Sequence, residues 1–186
     1  MNISDAQFEM RSRYRGGFYG QLTSGILWTI SAAAAYWNSP RAGVLILVFG
    51  GLFIFIGTEL LARLEGPRAS ISKEGGLNEL GMQVAFVLPA SMPLLYPVAM
   101  YRLEWFYPAM MILLGAHYLP FAFLYGMKMF LVLAAVLIGA GLMLPMNRVE
   151  SFSMGAWITA ATLFIFAVVG RVLAEREYKK LSEGAA

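Results

Sequence analysis

A single imidazole lies inside a segment that is otherwise apolar enough for lipid. His117 is the only histidine among 186 residues, and Tyr118 follows it directly. An ionisable group at membrane depth usually faces the protein interior or a wet cavity, where it can accept a proton or bind a ligand. The alternative is a neutral histidine that hydrogen-bonds a backbone carbonyl or a tyrosine hydroxyl and joins two helices. We treat His117 and Tyr118 as candidate ligand-binding residues and keep the structural role open.

Prolines spaced by four indicate a second polar feature near His117. Pro89, Pro93 and Pro97 each lack the N–H that would bond the carbonyl four residues earlier, and Pro120 has the same effect beside His117. At membrane depth such a carbonyl must meet another helix, a hydroxyl or water. The pattern therefore predicts a kinked helix around a small polar cavity, with Pro89 and Pro93 in its wall. Packed kinks without a ligand are the more common alternative.

Three further polar side chains are expected at a common depth near one end of the apolar segments. Glu59, Gln21 and Gln83 could form a polar vestibule, in which the carboxylate attracts a cation and the amides hydrogen-bond a ligand. Arg63 follows Glu59 by one helical turn, so an interfacial ion pair is the simpler interpretation. These three residues complete the candidate ligand site.

The composition excludes several kinds of chemistry. The chain has no cysteine, which excludes disulfides, thiol catalysis and iron–sulfur ligation, and one histidine excludes the usual multi-histidine metal site. The sequence contains no phosphate-binding loop and no signature of an intramembrane protease. The net charge of +3 is spread along the chain, so nucleic acid is not an expected partner. We therefore predict no metal, no cofactor and no catalytic residue, and enzymatic activity is unsupported.

The rest of the chain is suited to a bilayer. It is 59% hydrophobic and 13% charged, and its mean hydropathy is +0.66. A hydrocarbon core about 30 Å thick requires roughly 20 apolar residues per helix. Windows of this length predict an all-α, polytopic transmembrane bundle of six spans, in one membrane domain that covers residues 1–186. The predicted spans are residues 17–37, 42–61, 80–100, 106–125, 129–145 and 154–173.

The connections predict how these spans are arranged. Short turns make neighbouring spans antiparallel, the long connection 62–79 is expected at the cytoplasmic surface, and residues 4–15 predict a short interfacial helix. Small residues at helix-packing spacing, such as Gly43 and Gly50, predict close helix contacts first and a homodimer face second. Eleven Lys and Arg residues lie on the side of both termini, against three on the other side. Both termini are therefore predicted to be cytoplasmic.

Several motifs, in their order along the chain, are similar to those of one known family. They are MRSRYRGG at 10–17, NSPRAG at 38–43, and EWFYPAM at 104–110 with Tyr118 and LYGM at 124–127. Over about the first two thirds of the chain they resemble a family of small bacterial integral membrane proteins whose domain has no known function. The resemblance implies six spans, and it assigns no substrate, cofactor or catalytic residue.

These observations predict a multi-pass protein of the bacterial cytoplasmic (inner) membrane whose function is unknown. The leading hypothesis is a carrier or binder of a small cationic or amphiphilic solute. The rival hypothesis is an accessory subunit that packs against a partner protein, and a membrane enzyme is the third. The expected partners are membrane lipids, a small-molecule ligand and a second copy of the chain.

Overall fold

A computed structural model describes residues 2–65, 77–147 and 151–184, and within these ranges the chain is helical and contains no β-strand. We number the α-helices of these ranges in chain order, and short 3₁₀ turns join several of them. The helices are α1 Ile3–Tyr14, α2 Phe18–Trp37, α3 Pro40–Gly51, α4 Ile54–Leu64, α5 Leu77–Ser91, α6 Leu95–Tyr101, α7 Phe106–Leu124, α8 Met129–Met146 and α9 Met154–Gly184. Most of the predicted 62–79 connection, residues 66–76, lies outside the described residues.

Several of these helices are suited to crossing a membrane. Among the described residues, four helical segments are long and apolar enough, or five if the bent pair α3 and α4 counts as one span. The four are Leu77–Tyr101, Leu103–Leu124, Met129–Met146 and Met154–Lys179. Helix α2 has the length of a span, but Gln21, Thr23 and Ser24 lower its hydropathy and it is not one of the four. The structure is therefore an all-α, multi-pass bundle, with four or five spans by this criterion.

The segment 4–15, predicted to form a short interfacial helix, is helical and corresponds to α1. Its first turn is capped by Asn2, whose Oδ1 accepts a hydrogen bond from the Asp5 N–H at 2.9 Å. The helix ends at Tyr14, and the next three residues, Arg15, Gly16 and Gly17, all have left-handed backbone conformations, with φ of 49°, 63° and 85°. Because glycine adopts this conformation at little cost, the Gly-Gly pair allows the chain to turn sharply from α1 into α2.

Two of the predicted spans are interrupted. The window 42–61 divides into α3 and α4, which are bent by 64° at Leu52 and Phe53. The window 80–100 divides into α5 and α6 at a 3₁₀ turn, Met92–Leu94, whose second residue is Pro93. This interruption follows from the prolines, since Pro89 and Pro93 each remove a helical hydrogen bond. The predicted third span is therefore interrupted at Pro93, while Leu77–Tyr101 still forms one continuous helical segment.

Close helix pairs form the core. The most extensive contacts join α7 with α8, α2 with α9 and α2 with α3, whereas α4 packs on α2 and α5 packs on α7. At the contact of α2 with α3, the Ser31 hydroxyl donates a hydrogen bond to the Gly43 carbonyl at 2.8 Å. It also lies 2.6 Å from the Tyr107 hydroxyl, and both Ser31 and Tyr107 are fully buried. A Cβ atom at Gly43 would lie 2.6 Å from that of Ala35. Gly43 thus has the packing role that its spacing predicted.

Helix α1 is held against the end of the bundle by polar contacts. Arg11 donates hydrogen bonds to the Tyr125 carbonyl at 2.5 Å and to the Glu177 carboxylate at 2.7 Å. The Gln7 amide donates to the Phe123 carbonyl at 2.6 Å. These bonds satisfy carbonyls at the end of α7 and connect α1 to both α7 and α9.

Candidate functional site

A cavity of about 430 Å³ lies between two helix pairs, α2 with α4 on one side and α5 with α7 on the other. Residues of α1, α3 and α8 complete the wall, where Met10, Leu47 and Phe130 contribute side chains. The volume falls within the range of about 300–1,000 Å³ that is typical of small-molecule sites. The cavity is large enough for a ligand of drug size.

Four of the seven predicted site residues line this one cavity. They are Gln21 from α2, Pro89 from α5, and His117 and Tyr118 from α7. The residues are up to 97 positions apart in sequence, between Gln21 and Tyr118, and the packing of α2 near α7 brings them to a common space. The bulk of the remaining wall is apolar.

The other three predicted site residues do not line the cavity. Gln83 and Pro93 are exposed on α5 and on the turn that follows it. Glu59 lies on α4 and forms an ion pair with Arg63, whose Nε atom is 3.2 Å from the Glu59 Oε1 atom. This ion pair is the simpler of the two interpretations that the sequence offered for Glu59. Of the three residues of the predicted vestibule, Gln21, Gln83 and Glu59, only Gln21 therefore lines the cavity.

Two buried polar groups in the cavity wall have no hydrogen-bond partner among the described residues. The Gln21 side chain is 2% exposed, and neither its Nε2 nor its Oε1 atom is bonded. The Nδ1 atom of His117 is likewise buried and without a partner. The backbone carbonyl of Val84 on α5 lies near the His117 ring as a hydrogen-bond acceptor. A buried polar group without a hydrogen bond costs about 1–3 kcal/mol of stability. A polar occupant that hydrogen-bonds Gln21 or His117 would remove this penalty.

Aromatic side chains form much of the inner wall. Trp28, which is 1% exposed, lies on the same face of α2 as Gln21 and Ser24. The Tyr118 and Phe130 rings stack with centroids 6.1 Å apart and an interplanar angle of 18°. Sequence reasoning did not identify Trp28 or Phe130, although the spacing of Gln21, Ser24 and Trp28 on one helical face is a signal that could have done so.

One side of the cavity is open at the surface of the bundle. Leu52 and Phe55, at the bend between α3 and α4, line the cavity and are about 60% exposed, at 62% and 58%. Phe86 on α5 lines the opposite edge and is also exposed. In a bilayer, exposed apolar side chains of a spanning helix contact lipid. The gap between α4 and α5 therefore has an exposed, apolar rim.

A charged cluster joins three helices beside Tyr19, which also lines the cavity. The Tyr19 hydroxyl donates a hydrogen bond to Glu65, and the Arg171 guanidinium pairs with the same carboxylate at 2.6 Å. Arg171 also pairs with Glu175 at 2.9 Å. The Tyr19 hydrogen bond and the nearby Arg171 charge hold the pKa of Glu65 below its usual range. The cluster ties the end of α4 to α2 and α9 and remains ionised at neutral pH.

The described wall of the cavity contains few groups for acid–base chemistry. The lining residues that the structure describes include no Asp, Glu, Lys or Arg. General acid–base chemistry requires a titratable group within hydrogen-bond reach of the reacting proton, usually with a second group to orient it. His117 is the one imidazole or carboxyl group in the described wall.

The long apolar helices and the cavity between them define the class: a multi-pass, all-α membrane protein with a pocket between its helices. A family model matches residues 3–172, so the chain belongs to a family of unknown function, DUF7010. This confirms the predicted membership of an uncharacterised family. No curated protein and no solved structure matches the chain.

Proposed function

We propose that the protein binds a small amphiphilic molecule inside the membrane, as its carrier or its receptor. The observation that carries this proposal is the Gln21 amide, which is buried and unbonded in the wall of a cavity large enough for a ligand. A cavity with only apolar groups stays dry and needs no polar occupant. A cavity that is mostly apolar and also contains a hydrogen-bonding amide suits a molecule with both an apolar part and a polar part.

A cation is a poorer candidate than an amphiphile. The carboxylate expected to attract a cation was Glu59, which pairs with Arg63 and does not line the cavity. An isolated charge in an apolar site loses several kcal/mol of hydration without compensation. The described wall supplies no acidic group for such a charge.

The proposal is tested by photolabelling the purified protein in lipid vesicles with a diazirine-bearing monoacylglycerol. Trp28 and Phe130 should be labelled, and an excess of unlabelled monoacylglycerol should reduce their labelling at least fivefold. Leu45 and Val136 are exposed on the outside of the bundle and provide an internal control. Their labelling should be unaffected by the competitor. Peptide mass spectrometry reports both values.

Labelling confined to Leu45 and Val136, or labelling of Trp28 that no competitor reduces, contradicts the proposed function. Such a result would favour the rival role, an accessory subunit that packs against a partner or a second copy. One observation favours that role: in the most apolar window of Leu77–Tyr101, only 6% of the residues are buried. Helices α5 and α6 therefore offer a broad apolar face to lipid or to another protein.

We also propose six spans in a bacterial cytoplasmic membrane, with α2 as the first span, α3 with α4 as the second and both termini in the cytoplasm. The excess of Lys and Arg on the side of the termini supports this orientation. Because the chain has no cysteine, single-cysteine variants give a clean test. In spheroplasts, a membrane-impermeant maleimide should label Asn38→Cys directly and Ser4→Cys only after permeabilisation. Equal labelling of the two before permeabilisation would show that α2 does not cross the membrane.

A further inference from the structure

The chemistry of the cavity restricts the class of its occupant beyond what the proposed function states. A carboxamide presents two different functions: Nε2 donates hydrogen bonds and Oε1 accepts them. Both atoms of Gln21 are without a partner among the described residues. An occupant that satisfies the amide must therefore accept one hydrogen bond and donate another.

His117 imposes a related condition. Its Nδ1 atom is buried and without a partner among the described residues. A neutral imidazole nitrogen either donates or accepts one hydrogen bond, depending on the tautomer. A hydroxyl group can both donate and accept, so it satisfies Nδ1 in either tautomer.

The occupant must also be uncharged. Neither a cationic nor an anionic head would find an opposite charge among the described lining residues. Burying such a head without a counter-charge is unfavourable, whereas a hydroxyl head replaces its hydrogen bonds to water by bonds to the amide and the imidazole. The apolar part has an exit at the gap between α4 and α5, where Phe55 and Phe86 are exposed.

We infer that the cavity selects an uncharged amphiphile with a hydroxylated head, such as a monoacylglycerol, a diacylglycerol or a long-chain alcohol, whose head binds Gln21 and His117 and whose chain extends toward the bilayer. This inference rests on the proposed function, since it names the ligand class of the same cavity. It predicts that the head group, and not the chain, determines affinity.

Quenching of Trp28 fluorescence tests the inference. The variant with Trp37, Trp105 and Trp157 replaced by phenylalanine keeps Trp28 as its single tryptophan. Bromine atoms quench an indole that they approach closely. Three probes share one brominated 18-carbon chain and differ in the head: a monoacylglycerol, a trimethylammonium and a phosphate. In phosphatidylcholine vesicles, the monoacylglycerol should quench Trp28 saturably, with an apparent Kd at least tenfold lower than that of either charged probe.

Gln21→Leu is the matched substitution, because leucine is of similar size and offers no hydrogen bond. It should weaken monoacylglycerol binding about tenfold and leave the weak binding of the charged probes unchanged. Circular dichroism shows whether the triple variant folds. If it does not, the quenching of Trp28 is obtained as the difference in fluorescence quenching between the wild type and Trp28→Phe.

The outcomes separate the two proposals. Saturable quenching by the charged probes as strong as that by the monoacylglycerol, or equal monoacylglycerol affinity in Gln21→Leu, overturns the inference about the ligand class and leaves the proposed function standing. The absence of saturable quenching with all three probes overturns both.

Discussion

Replacing Gly16 by alanine is expected to lower the free energy of unfolding by about 2–4 kcal/mol, a large effect for the addition of one methyl group. Gly16 has a φ of 63°, a conformation that costs an L-residue about 1–2 kcal/mol. A Cβ atom there would also collide with the Gly170 carbonyl oxygen and lie 2.8 Å from its carbonyl carbon. Both atoms belong to the backbone of α9, so the clash cannot be relieved by a side-chain rotation.

Gly170 is in equally close contact with Gly16. A Cβ atom at Gly170 would lie 2.6 Å from the Gly16 carbonyl oxygen, so the two backbones touch directly. Gly139→Ala is the matched control, since a Cβ atom there meets no atom within 4 Å. Unfolding in a titration with sodium dodecyl sulfate, followed by circular dichroism, gives both values. If Gly16→Ala unfolds at the same detergent fraction as Gly139→Ala, α9 does not pack closely against the turn before α2.

The sequence predicts the helices well where apolar windows end at charged or turn residues. The predicted span 106–125 corresponds to α7, Phe106–Leu124, and the predicted span 129–145 corresponds to α8, Met129–Met146. The bend between α3 and α4 was not predicted, because Leu52 and Phe53 are as apolar as the rest of the window. A local signal was present, since Gly50 and Gly51 directly before the bend are poor helix formers. The bend also coincides with a close contact on α2, where a Cβ atom at Gly50 would meet the Leu27 side chain. Such a contact depends on the partner helix, which an apolar window does not report.

The candidate site was predictable in part for a related reason. Gln21 and His117 stand out because a polar side chain in an apolar window needs a partner, and the sequence contains no obvious one. The cavity itself was not predictable in shape, since it exists because α4 packs on α2 while α5 packs on α7. Glu59 forms the ion pair with Arg63 that its spacing indicated, and it does not line the cavity. Periodicity defines the face of a helix on which a residue lies, and packing decides what that face contacts.

The cavity can be filled at one position without disturbing the fold. Gly20 lies in the cavity wall, and a Cβ atom there would meet no atom within 4 Å. A leucine at this position starts in open space and occupies volume that a ligand would need. Gly139→Leu adds the same side chain on α8, also in open space and away from the lining residues. Both substitutions replace glycine within a helix, so each should increase helix stability slightly.

The most direct test of an amphiphile-binding cavity is therefore the mass of the intact protein released from native membranes. Native mass spectrometry should detect the wild type and Gly139→Leu with one additional amphiphile, and Gly20→Leu with at most about a tenth of that occupancy, which corresponds to a loss of roughly 1.4 kcal/mol of binding free energy or more. Equal occupancy in all three proteins, or no bound mass in any of them, would contradict the account.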